Sequence, residues 1–359
     1  MNLTDCINLA DLEIRGRTQL ARMVADYFAG GAGDEQTLRA NRAAFAAVHL
    51  RPRVLVDVEQ RSAQTTLLGT TVRWPVLAAP VGLQRLAHPE GELASAQAAS
   101  ATGTLYVAST MSNYSLEAIA AASPGPKWFQ LYVFRDRGLT RSLVERAEAA
   151  GYLALQVTAD APILGVREAD VRNGFHLPDG VRLANLESAG LGAMPAHAHA
   201  SGANRFTAQW FDTRLTWHDL DWLRSFTRLP VLVKGVLRGD DAVRALDHGA
   251  AGVVVSNHGG RQLDTAPATF AVLPEIGAAL AGRGLIVLDG GVRRGTDVLK
   301  ALAAGAQAVQ IGRPIVWGLA AGGSAGVQRA LELLHAEVDN ALALTGCPTL
   351  ATVTPDLLS

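Results

Sequence analysis

Short apolar runs recur along this chain, separated by stretches whose apolar positions follow helical spacing. The runs fall at 76–79, 105–108, 128–133, 153–158, 231–233, 252–256, 285–288 and 308–311. Between most of them lie Ala-rich helical stretches such as 139–150, where Leu139, Leu143, Val144 and Ala147 share one face. Eight strands that mostly alternate with helices predict an α/β fold in which a parallel sheet closes into a (β/α)8 TIM barrel. An open dinucleotide-binding sheet is disfavoured, because no GxGxxG turn follows the first run.

Two regions depart from the rhythm. The first fifty residues read as a helical extension. Leu20, Met23, Val24, Tyr27 and Phe28 recur at helical spacing, Gly30 to Gly33 break the run, and a second helix starts at Asp34-Glu35 and continues through Leu38 and Phe45. A short strand is expected at 54–58. After strand four, about seventy residues between Asp160 and Pro230 stand where one crossover helix would suffice. Their middle, 185–204, is rich in Ala, Gly, His and Ser and reads as a long mobile loop, about 180–210, over the barrel mouth. His176, His197, His199 and His218 lie in this interval without a Cys pair or HExxH pattern, so they read as solvated loop residues and no metal is expected. One domain spanning 1–359 accounts for the whole pattern.

Composition narrows the setting. Half the residues are apolar, Gly and Ala are plentiful, and the formal charge is -1 with no long basic run, which leaves a nucleic-acid partner without electrostatic footing. No stretch approaches the roughly 20 apolar residues of a membrane span. The N-terminus lacks an apolar signal core, the final DLLS is not a peroxisomal signal, and the two cysteines, Cys6 and Cys347, form no metal cluster or disulfide framework. These features predict a cytoplasmic protein.

Residues at the C-terminal ends of barrel strands face the active site, and the unusual polar groups fall there. Strand four ends in Thr158-Ala159-Asp160, strand five in Lys234-Gly235, and strand six in Ser256-Asn257-His258-Gly259-Gly260-Arg261. Strand seven ends in Asp289-Gly290-Gly291-Val292-Arg293, and strand eight in Gly312-Arg313. A Gly-Gly-x-Arg turn beside a Gly-Arg turn suits phosphate, since bare backbone N–H groups, a helix N-terminus and bidentate guanidinium groups all favour an anion. Either turn alone would read as an ordinary tight turn. Lys234 is a rim lysine with a solvated head, or a fixed positive charge beside a cofactor. His258, three residues from Arg261 and within reach of Asp160, reads as a general base whose pKa the carboxylate raises, with Arg261 clamping a substrate carboxylate.

These segments resemble the FMN-dependent 2-hydroxy-acid dehydrogenase family, which includes glycolate oxidase, lactate oxidase, mandelate dehydrogenase and 4-hydroxymandelate oxidase. The likeness runs from the Asp26-Tyr27 helix to LTGCPTL near the C-terminus. It is carried by GAGDEQTLRAN, RPRVLVDV, APVGLQRLAHPEGE, FQLYVFRD, TADAP, READVRNGF, LVKGV, SNHGGRQLD, LDGGVRRGTDVLKALAAGA and IGRP. The resemblance implies that FMN is the cofactor and that a 2-hydroxy acid is oxidised to the 2-oxo acid, with O2 or another electron acceptor regenerating the enzyme. It implies that Tyr27, Arg167 and Arg261 bind the substrate carboxylate, that His258 is the base with Asp160 paired to it, and that Tyr132 bonds the substrate oxygen. Lys234 would stabilise the reduced flavin. Ala79, Pro80, Val81, Ser109, Gln130, Thr158 and Ser256 would contact the flavin and ribityl chain, and Asp289, Gly290, Gly291, Arg293, Gly312 and Arg313 would hold the ribityl chain and phosphate. A homotetramer is usual in the family.

Three positions depart from the glycolate oxidase pattern. Gly82 stands where glycolate and lactate oxidases usually carry Ala and mandelate dehydrogenase carries Gly. Met111 replaces a Trp that narrows the glycolate pocket, and Val166 replaces an arginine at the mouth. A flexible Met and one charge fewer point to a mandelate-like (S)-2-hydroxy acid larger than glycolate, with Met111 and Gly82 lining its site. Two rivals stay open. A barrel acting like IMP dehydrogenase needs a nucleophilic loop Cys, and neither Cys6 nor Cys347 is placed for one. A non-catalytic FMN-binding barrel would not need Tyr27, Tyr132, Asp160, His258 and Arg261 together.

Overall fold

In a parallel sheet covered on both faces, each strand reads as a continuous buried run, and the strands here do so. The structure, a computed structural model, describes residues 2–194 and 201–359. Eight parallel strands close into a barrel: β1 (Val76–Ala78), β2 (Tyr106–Ser109), β3 (Lys127–Leu131), β4 (Leu155–Thr158), β5 (Val231–Val236), β6 (Gly252–Val255), β7 (Leu285–Leu288) and β8 (Ala308–Ile311), with β8 pairing back onto β1. Alternation along the strands sorts the core into two sets. Leu77, Val107, Trp128, Leu232, Val254 and Val287 fill the barrel interior. Residues of the opposite parity, among them Val76, Phe129, Val157, Val233, Val253 and Val309, pack outward in the larger cluster with the surrounding helices.

An antiparallel hairpin, Thr65–Leu67 with Thr70–Val72, precedes the barrel. Its Leu67 and Val72 join the interior cluster and plug it. The turn between them is Leu68-Gly69, with both φ values positive, as a two-residue hairpin loop requires. The expected strand at 54–58 does not form. Leu55 lies fully exposed at φ 59° and Val54 is 78% exposed. The β-branched pattern there finds no partner strand, and Arg53 is held instead by Thr354, Asp356 and the Thr352 carbonyl.

The N-terminal extension folds as helices Leu9–Thr18, Arg22–Ala29 and Gln36–Ala46. Gly16 permits the first to cross the C-terminal helix Arg313–Leu344, since a Cβ there would lie 2.5 Å from the Trp317 carbonyl oxygen. The interval after β4 is more structured than a bare loop. It holds the helices Glu168–Arg172, Ala184–Ala189 (3₁₀), Gly202–Trp210 and Trp217–Arg224. Asn185 is buried and accepts a hydrogen bond from the Leu116 amide, which ties this excursion to the barrel. His197 and His199 lie outside the described residues.

Candidate active site

The loop after β6 sets the central group. His258, Gly259 and Gly260 all adopt positive φ. For a non-glycine residue this costs about 1–2 kcal/mol, and it turns the imidazole into the barrel mouth. The His258 amide bonds to Ser256 Oγ at 3.1 Å, and Gly260 passes so close to Leu38 that a Cβ would lie 2.6 Å from its amide nitrogen. The side chain of Asn257 exchanges hydrogen bonds of 2.9 and 2.8 Å with that of Asn41. A residue of the N-terminal extension therefore anchors the loop that carries His258.

His258 Nδ1 lies 3.0 Å from Asp160 Oδ1, and its Nε2 lies 3.4 Å from the Tyr132 hydroxyl. The carboxylate fixes which imidazole nitrogen faces the cleft. The expected upward pull on His258 is present but does not win. Burial, aided by the Lys234 charge, outweighs Asp160 and holds the imidazole below its ordinary pKa. Burial works against the charge on Asp160, yet His258 and Lys234 keep this carboxyl below the usual range. Burial lifts the Tyr132 phenol well above its ordinary value, so it stays protonated; its ring stacks on Phe211 at 4.5 Å.

Lys234 lies inside β5, one residue before the irregularity at Gly235, and not at the strand end. It is buried, donates to Ser256 Oγ at 2.9 Å, and pairs with Asp289 Oδ2 at 3.3 Å. Burial would discharge it, but Asp289 and Asp160 together raise its pKa above the ordinary lysine value. Its burial sets it apart from the rim lysine with a solvated head that one of the two sequence readings allowed. Ser109, Gln130 and Thr158 form a buried hydrogen-bonded row across β2 to β4, with links of 3.0 and 2.9 Å.

Three guanidinium groups crowd one wall. Burial, helped by neighbouring arginines, lowers Arg261 and Arg293 to about 10 and Arg313 to about 9. Arg261 lies over the Tyr27 ring, 4.9 Å from its centroid, and Tyr27 stacks on Phe175 at 4.0 Å. Arg167, also buried, reaches the same ring at 5.8 Å and pairs with Asp170 at 3.5 Å. Arg313 is held by the carbonyls of Phe28, Gly259 and Gly30, whereas Arg293 Nε has no partner among the described residues. Half-buried positive charge of this density is costly until an anion meets it. Gly291 is required where it stands, because a Cβ would lie 2.2 Å from the Asn41 carbonyl oxygen.

His258, Tyr132, Lys234, Asp289, Tyr27, Ser109, Gln130, Thr158 and the four arginines border one open cleft, whereas Asp160 does not border it and acts through His258. Ala79, Pro80, Val81, Gly82, Met111 and Gly312 line it as expected; Ser256 does not border it and acts through Lys234 and His258. The sequence reading missed Gln310, whose side-chain amide is buried in the cleft wall without a hydrogen-bond partner among the described residues; a glutamine inside an apolar strand was the available signal. It also missed Leu164, Met194 and Phe211, which the β4–β5 excursion folds over the mouth. No local pattern marks them.

The family model for FMN-dependent dehydrogenase matches residues 16–359. The chain belongs to the FMN-dependent dehydrogenase family. An L-lactate oxidase of Nostoc sp. is 53% identical over 356 residues, covering 98% of both chains, and the glycolate oxidase of Spinacia oleracea is 48% identical over 343 residues, covering 96% of this chain and 93% of its own. The crystal structure of mandelate oxidase with (S)-4-hydroxymandelic acid superposes with a TM-score of 0.95 at 45% identity, covering 99% of this chain and 98% of the other. The (β/α)8 barrel and the FMN dependence expected from sequence therefore stand for this family member. No described helix is long and apolar enough to cross a membrane.

Proposed function

We propose that this FMN-dependent dehydrogenase family member oxidises an (S)-2-hydroxy acid larger than glycolate, of mandelate type, to the 2-oxo acid, with O2 taking the electrons and H2O2 as the second product. The observation that carries this reading is an Asp160-oriented imidazole bordering the same cleft as the guanidinium groups of Arg261 and Arg167. Such a site pairs a base with an anchor for the carboxylate of an acid.

The unpartnered polar atoms fit FMN. Arg293 Nε and Asp289 Oδ1 are buried without hydrogen-bond partners among the described residues. A cofactor phosphate would meet Arg293, Arg313 and the amides around Gly291 and Gly312, and the ribityl and ring edges would meet Asp289, Lys234, Gln130, Thr158 and Ser109. When bound, FMN supplies the two-electron acceptor. The chain supplies the rest. Arg261, Arg167 and Tyr27 hold the substrate carboxylate, His258 Nε2 takes the proton released on oxidation, and Tyr132 donates to the substrate oxygen. Asp160 steadies the imidazolium that results.

Side-chain size is argued from Met111, Leu164, Met194 and Phe211, apolar neighbours of the cleft mouth that leave no Trp to narrow it. Gly82 favours a second reading, a dehydrogenase with an acceptor other than O2, because mandelate dehydrogenase resembles this chain at that position. The test is the visible spectrum of the enzyme under anaerobic conditions, with (S)-mandelate, (S)-4-hydroxymandelate, lactate or glycolate added separately. Faster bleaching by the aryl acids supports the assignment, and faster bleaching by lactate or glycolate overturns the size argument. Recovery of colour with H2O2 on admitting air supports the oxidase; persistent bleaching in air supports the second reading.

A further inference from the structure

Away from the cleft, two imidazoles and a carboxylate converge on the barrel flank. His218 and Asp221 stand one turn apart on the helix Trp217–Arg224, and His248 caps the C-terminus of the helix Gly239–Asp247. His248 Nδ1 lies 2.9 Å from Asp221 Oδ2, and His218 Nδ1 lies 3.7 Å from the same oxygen. One donor atom from each residue falls within 4.8 Å of the others. Tetrahedral zinc, with bonds of about 2.0–2.2 Å, spaces its donors about 3.4 Å apart. The two separations bracket that value.

Three further observations distinguish this cluster from a chance surface pair. Among the described residues, the ion-pair partners of Asp221 are these two histidines, so no arginine or lysine already neutralises it. The His248 ring is restrained, stacked on Trp217 at 18° between planes and only a quarter exposed, with its carbonyl accepting from Arg224. His218 is nine-tenths exposed and can swing onto a shared ion without disturbing any packed element. The cleft residues take no part, so the cluster lies outside the catalytic machinery proposed above.

We propose that His218, Asp221 and His248 form a surface site for a divalent transition cation of the zinc type. The donor set decides the class. Two imidazole nitrogens suit Zn²⁺ and its neighbours, whereas Mg²⁺ and Ca²⁺ call for oxygen ligands. Three protein ligands leave the solvent side open to water. The metal joins the helices on either side of β5, the strand that carries Lys234. The expectation that His218 is a solvated residue holds for its exposure; its partner His248 lies thirty residues on, beyond the spacing any sequence motif would use.

The test is calorimetric titration of Zn²⁺ into untagged, chelator-stripped, FMN-loaded enzyme, alongside His218→Ala, His248→Ala and the double variant. The expected result is one Zn²⁺ per chain, with affinity falling roughly tenfold or more in each single variant. Flavin reduction by a 2-hydroxy acid should be the same in metal-free wild type and variants, which shows that they are folded. Equal affinity in wild type and double variant overturns the proposal and places the zinc elsewhere, for instance between His258 and Asp160. Absence of saturable binding to the wild type overturns it as well.

Discussion

Glu92 offers a sharp test of how burial acts in this fold. It lies in the helix Gly91–Ala101 with no exposed surface. Its Oε1 accepts the amides of Gln84 and Asn113, each at 3.1 Å, while Oε2 has no hydrogen-bond partner among the described residues. One carboxyl thus joins the loop that carries Gly82 to the loop that carries Met111. Burial raises its pKa from the ordinary 4.5 to about 7. The folded state therefore binds this proton more tightly than the unfolded state. The associated stability is fully present below about pH 4.5 and is lost as pH rises through about 7. The difference between those two values is worth about 3 kcal/mol, of which about 2.5 kcal/mol is lost between pH 5 and 8. Glu92→Gln keeps an acceptor for both amides and removes the titration. Urea unfolding of wild type and variant at pH 5 and pH 8, at matched FMN concentration, should show the variant gaining about 2–3 kcal/mol on the wild type over that interval. Parallel stability curves would refute the reasoning, because they would mean that Glu92 reaches water or an unseen charge.

Other perturbations address the proposed chemistry. His258→Ala should retain FMN yet lose flavin reduction by roughly 10²–10⁴-fold in stopped-flow, as loss of a general base implies; normal reduction would remove His258 from that role. Because burial holds the imidazole below its ordinary value, the reduction rate should fall on acidification only below the usual histidine range, and Asp160→Asn should move that limb lower still. An acid limb above pH 6.5 in the wild type would contradict this. Lys234→Met leaves Asp289 buried without its cation and should slow reduction while lowering stability by about 3–5 kcal/mol; unchanged reduction would deny it an electrostatic role. Gly82→Ala places a Cβ 2.8 Å from Met111 Cβ and 3.0 Å from the Met111 carbonyl oxygen. Overpacking of about 1–3 kcal/mol should follow, with a changed KM for aryl acids; wild-type stability and KM together would show that the two loops yield freely.

Much of the architecture was legible locally. The eight barrel strands announce themselves as short apolar runs, because a strand covered on both faces must be apolar throughout, and the polar residues at their ends mark the mouth. His258, Asp289 and Arg261 are found this way, while Lys234 lies inside its strand and not at the end. The pattern failed where pairing decides the outcome. The 54–58 segment has β-branched residues without a partner strand, while the Thr-rich hairpin at 65–72 finds its place only because Leu67 and Val72 plug the barrel.

Tertiary structure decided the properties that depend on what surrounds a group. Spacing brought His258 and Asp160 together, but whether the imidazole is raised or lowered depends on how much water the whole fold removes and on Lys234 from a third strand. Asn41 as the anchor of the His258 loop, Phe211 beneath Tyr132, and His248 beside Asp221 are contacts between segments far apart in the chain. Periodicity is a local property, fixed by backbone geometry over a few residues. Desolvation and electrostatic balance are sums over every neighbour, and they take definite values only once the chain has closed on itself.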